Sequence, residues 1–110
     1  MKYIITESRL NDIVFKYLDT TLSAIEKRKG HFKDVVFAFP DEEYAVMGWE
    51  NDSKSLYIHN RISGSIQPLF GLDKIAALDI IAMYVEDRYN LRVDNIKEID
   101  YFLGKQSSSR

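Results

Sequence analysis

Ile75-Ala-Ala-Leu-Asp-Ile-Ile-Ala-Met-Tyr-Val85 carries a single charge, Asp79, along a stretch with helical character. A surface helix shows one apolar stripe and one polar face. This one is apolar nearly all round, so it needs cover on more than one side. Either it forms the centre of the domain or one of its faces awaits a partner. Asp73 is suited to cap its start, and Asn90 to end it in a left-handed conformation after Tyr89. Ile75, Leu78, Ala82, Val85 and Tyr89 form an inward stripe. Ile80, Ile81, Met83 and Tyr84 are then the candidate contact residues, because they lie off that stripe. Asp79 interrupts the apolar run and faces water or pairs with a base, since burying it alone is costly.

Outward from this helix, the preceding segment Arg61–Gly71 holds Gly64, Pro68 and Gly71 and reads as a loop. Ile62, Ile66, Leu69 and Phe70 anchor it against the domain. Further upstream the period is that of strands. Asp34–Phe39, Glu43–Glu50 and Ser55–Asn60 are joined by tight polar turns and predict a three-stranded antiparallel meander. Along the last of these, Leu56 and Ile58 share one face, and Tyr57 and His59 the other. Downstream, residues 91–103 mix helical and alternating spacing, and a terminal strand is the favoured reading.

The chain opens with Lys2–Thr6, a brief strand or apolar arm, followed by a cap at Thr6 or Ser8. Leu10, Ile13, Val14, Tyr17, Leu18, Leu22 and Ile25 then repeat at helical spacing. They predict one long helix that ends at Gly30, with the basic run Lys27-Arg28-Lys29 in its last turn. The order is (β)αβββαβ, an α+β two-layer sandwich with two helices on an antiparallel sheet. Residues 1–103 make one domain, and 104–110 read as a polar tail.

Composition narrows the function classes. The chain has 15 basic and 17 acidic side chains and a net charge of −2, without the basic excess of a nucleic-acid binder. Binding of nucleic acid through Lys27, Arg28, Lys29 and Lys33 is the least favoured reading. Cysteine is absent, which removes disulfides, thiolate metal sites and cysteine nucleophiles. No apolar run reaches the ~20 residues of a membrane span, and no signal peptide opens the chain, so the expected location is the cytoplasm.

No catalytic, cofactor or metal signature stands out. His31 and His59 lack spacing that would bring them to one metal ion. His59 with Asp52 or Glu50 across the hairpin is the one candidate acid–base pairing. Asp41-Glu42-Glu43 reads as a solvated turn, and Glu86-Asp87-Arg88 as the wet end of a helix. Gly64–Gly71 lacks the Lys-Ser/Thr of a phosphate-binding loop. Trp49, Tyr57, His59 and Arg61 are the candidates for a ligand or catalytic pocket between the meander and residues 61–71.

The opening Met1-Lys-Tyr-Ile-Ile-Thr-Glu-Ser-Arg-Leu10 resembles the start of many small proteins encoded by tailed bacteriophages. The resemblance implies a phage accessory or virion protein and carries over no functional residue. The expected function is protein–protein contact, with another protein or as a homo-oligomer. A small ligand-binding or catalytic domain is the alternative.

Overall fold

Three helices and seven short strands follow one another in a computed structural model that describes residues 7–29, 34–42, 44–101 and 103–104. The expectations for residues 2–6, for Gly30, His31 and Lys33, for Glu43 and for the tail beyond Gly104 lie outside these residues. The elements are α1 (Glu7–Thr21), β1 (Glu26–Arg28), β2 (Val35–Ala38), β3 (Tyr44–Ala45), β4 (Met47–Glu50) and β5 (Ser55–His59). They continue with α2 (Asn60–Phe70), α3 (Lys74–Tyr89), β6 (Asn95–Ile99) and β7 (Leu103–Gly104). The class is α+β, with the helices packed on one face of a five-stranded sheet ordered β1-β2-β4-β5-β6.

The meander is present: β2 pairs antiparallel with β4, and β4 with β5. Its middle strand is broken at Val46. The Val46 amide donates to the Phe37 carbonyl at 2.8 Å while Met47 pairs in register with Phe37, so two residues stand opposite one. This is a β-bulge, and both bulge side chains enter the helix-side core. Beyond the bulge, β3 leaves the sheet and pairs antiparallel with β7. Ala45 then packs with Val36, Ala38 and Ile99 in a second, small cluster on the opposite face.

Four expectations are corrected. First, α1 stops at Thr21, short of Gly30. The Thr20 hydroxyl donates to the Lys16 carbonyl at 3.2 Å, a competing bond within the helix, and the chain turns at residues 22–24. Glu26–Arg28 then form the edge strand β1 on β2, so the basic run is not a helix end.

Second, residues 60–70 are a helix, not a loop. His59 caps it: its Nδ1 accepts the Arg61 amide at 2.9 Å. Pro68 lies inside this helix, two residues from its end, so the helix goes without the bond that an N–H at 68 would give to the Gly64 carbonyl. Gly71, at φ 64°, closes the helix, and the Leu72 amide donates to the Gln67 carbonyl at 2.9 Å.

Third, the sheet is mixed. β6 lies parallel to β5, Ser55 against Asn95 through His59 against Ile99. A parallel neighbour requires a long crossover, and α2 with α3 supplies it.

Fourth, the inward side of α3 differs from the predicted stripe. Its caps are as expected, with Asp73 Oδ1 accepting the Ala76 amide at 2.8 Å and Asn90 at φ 57°. Ala77, Ile80, Ile81, Ala82, Tyr84 and Val85 are buried, whereas Ile75 is 72% exposed. The helix is central, clasped by α1, α2 and the sheet.

Candidate functional site

The four candidate contact residues separate sharply. Ile80 is 4% exposed, Tyr84 3% and Ile81 fully buried, all within the main core, and only Met83, at 42%, reaches solvent. The near-absence of charge between Ile75 and Val85 comes from the central place of this stretch in the fold, and this overturns Ile80, Ile81 and Tyr84 as surface residues.

Tyr84 has a specific task. Its hydroxyl donates to Asp19 Oδ1 at 2.8 Å, and Arg88 adds Nε on Oδ1 at 3.0 Å and Nη2 on Oδ2 at 2.9 Å. Phe15 meets Tyr84 edge to face at 5.4 Å, and the Arg88 guanidinium lies over both rings, at 5.4 and 5.3 Å. The clamp bolts α1 to α3. The Arg88 bond holds the Asp19 carboxyl below its ordinary range, with Tyr84 contributing. Burial, then the bond to Asp19, pushes the Tyr84 phenol far up. Glu86-Asp87-Arg88 is therefore more than a wet helix end. Arg88 joins α1, and Glu86 accepts the Val93 amide at 2.9 Å to steer the chain toward β6.

A second polar cluster joins α2, α3 and β6. Ser63, fully buried, donates to Glu98 Oε2 at 2.5 Å, and Lys74 lies 3.2 Å from Oε1. These contacts, Ser63 first, hold the Glu98 carboxyl below its ordinary range. A serine nucleophile needs a path to substrate and a base to take its proton. Ser63 has no exposed surface and faces an ionised acceptor already paired with Lys74, so the cluster reads as a structural tie.

The four candidate pocket residues do not converge. Trp49 faces the helices, and its Nε1 donates to the Arg92 carbonyl at 2.9 Å. Tyr57 is on the opposite sheet face, donating to Glu50 Oε1 at 2.5 Å under Lys97, and that bond raises its phenol. His59 is committed as a helix cap, and Arg61 is held by both carboxylate oxygens of Glu42, at 2.8 and 3.1 Å. The acid–base pairing also fails. Glu50 pairs across the hairpin with Ser55 and Asp52 lies in the turn between them, whereas His59 ends β5 about 13 Å from Ser55 at ~3.3 Å per residue. Among the described residues no cluster of three or more His, Cys, Asp or Glu is placed to hold a metal ion. No helix there is long and apolar enough to cross a membrane.

Among the described residues, the seam between α1 and α3 forms a concave surface. Toward the start of both helices is a cavity of about 180 Å³. Leu10, Leu72, Ala76 and Ile80 give it an apolar lining, and Asn11, Asp79 and Met83 complete it. Beyond it along α1 lies a more polar hollow of about 350 Å³, lined by Asp12, Phe15, Lys16, Asp87 and Arg88. Asp79 is exposed, the water-facing option expected for it. Leu10 and Leu72 were missed as site residues because the cavity forms only once the α2–α3 turn and α1 meet.

Comparisons with protein-family models, with curated proteins and with solved structures return no match.

Proposed function

We propose that the protein works by contact with another protein, through its helical layer, and not by chemistry on a small molecule. The observation that carries this reading is the α1–α3 cavity, apolar within and open to solvent, with Met83 at its rim and Ile75 exposed on the same helix. The candidate polar groups elsewhere are used in caps, clamps and ion pairs that hold the fold. A role as an accessory or virion protein of a phage is consistent with such contact and rests on the resemblance of residues 1–10.

The test is the mass of the native species in its own cell extract, by size-exclusion chromatography with light scattering. Wild type is compared with the double variant Ile75→Glu, Met83→Glu. The expected result is a species heavier than one chain that returns to the mass of one chain in the variant, with an unchanged melting temperature. A wild-type protein that elutes at the mass of one chain would overturn the proposal.

A further inference from the structure

Asp79 lines the α1–α3 cavity one helical turn after Ile75 and one before Met83, so the outer stripe of α3 reads apolar, acidic, apolar. Ile75 and Met83 are exposed, and no described residue forms a hydrogen bond or ion pair with Asp79. In the free protein, water satisfies this carboxylate. A partner that covers the stripe strips that water away, and a buried carboxylate without a counter-charge is strongly disfavoured. The covering surface must therefore bring a positive charge to Asp79 and apolar groups on either side of it.

A second copy of this chain does not meet that requirement through the same stripe. In a two-fold contact centred on α3, Asp79 of one copy stands against Asp79 of the other, and like charges at close range repel. The cavity sets the size of the anchor. An apolar cavity of ~150 Å³ admits a benzene-sized group, so about 180 Å³ accepts one large aliphatic or aromatic side chain. Asn11 adds a polar amide to the lining, able to bond a partner backbone.

We infer that this cavity receives a segment of a different protein that inserts one large apolar side chain and sets a lysine or arginine against Asp79. This rests on the contact reading above and specifies the partner's chemistry. Spacing on α3 makes a short amphipathic helix the matching shape, with apolar residues one turn before and after the basic one.

The experiment uses the full chain with methyl-labelled methionine and two synthetic helical peptides. One carries Leu-x-x-x-Lys-x-x-x-Leu, and the other has Glu in place of Lys. Asp79→Asn and Met83→Glu are the protein variants; both sites are exposed, so both should fold. The expected result is a shift of the Met83 methyl with the Lys peptide, an affinity about tenfold weaker for the Glu peptide, and loss of that preference in Asp79→Asn. The preference should also shrink between about 0.05 and about 0.5 M salt. Binding at Met83 that ignores both the peptide charge and Asp79→Asn would overturn the charge pairing and leave the contact reading intact. No Met83 response to either peptide would overturn the cavity as a docking site. A dimer dispersed by Met83→Glu would overturn the inference in favour of a second copy.

Discussion

Arg88 grips Asp19 with two nitrogens on two oxygens, at 3.0 and 2.9 Å, across the seam between α1 and α3. Both side chains remain over a third exposed, so water screens the pair and the ionic part is weak. The buried Tyr84 hydroxyl is the costlier dependant, because it loses its acceptor if Asp19 goes. Asp19→Ala should therefore destabilise by about 1–2 kcal/mol, and Tyr84→Phe by about 1 kcal/mol. The double variant should cost less than the sum. Urea unfolding measures all three, and strict additivity would show that Asp19 and Tyr84 do not act together.

Acid should loosen the protein through two carboxyls. Asp19 and Glu98 titrate below their ordinary values of 3.8 and 4.5 in the folded chain. The folded state thus binds fewer protons than the unfolded state in that range, and stability falls as the pH drops through it. The contribution is complete above about pH 5 and gone once the pH is below the folded values. Denaturant midpoints between pH 6 and pH 3 should fall less steeply in Asp19→Asn and in Glu98→Gln. An unchanged slope in both would mean that other groups carry the acid sensitivity.

The core of α3 and its surface are separable by charge substitution. Ile80→Glu places a carboxylate in a site that is almost fully buried and should cost more than about 3 kcal/mol, enough to unfold many domains. Met83→Glu should change stability by no more than about 0.5 kcal/mol. Circular dichroism melts decide it: equal damage at both positions would contradict the burial of α3.

How far the sequence carries is visible in these same residues. The caps Asp73 and Asn90 were legible because capping is local, set within a few residues. The meander was legible because its turns and alternation are local too. Helix α2 was hidden by Gly64, Pro68 and Gly71, although Ile62, Ile66 and Phe70 recur every four residues and signalled a helix. Nothing in the chain marks His59 as a cap, since histidine is not among the preferred capping residues. The parallel pairing of β6 follows from α2 and was lost with it. Among the four candidate contact residues, Met83 alone reaches solvent. Burial of its neighbours depends on where α1 and α2 land, and periodicity fails to show this for a helix apolar on every side. The clamp of Asp19 on Arg88 joins positions far apart in the chain, and no local pattern announces it.

The cap on α2 gives a test with a chemical readout. His59 Nδ1 accepts the Arg61 amide, so the neutral ring carries its proton on Nε2. Nitrogen-15 chemical shifts should report that tautomer. His59→Asn should keep most of the stability, because asparagine caps well, and His59→Ala should lose about 1 kcal/mol. Equal losses in both would mean that His59 acts by packing instead of capping.

Two glycines, one inside α2 and one capping it, should respond with opposite sign. Gly64 sits in the helix interior, and a Cβ built there meets nothing within 4 Å. Alanine fits that space, restricts the unfolded chain and favours the helix, so Gly64→Ala should stabilise by about 0.5–1 kcal/mol. Gly71 has equal room but holds φ 64°, the left-handed conformation that closes the helix. An L-residue there strains the backbone, and Gly71→Ala should destabilise by about 1 kcal/mol. Because space is the same at both sites, conformation alone separates them. Thermal unfolding of the two variants is the measurement. If Gly64→Ala is also destabilising, residues 60–70 are not the continuous helix that carries the chain from β5 to α3.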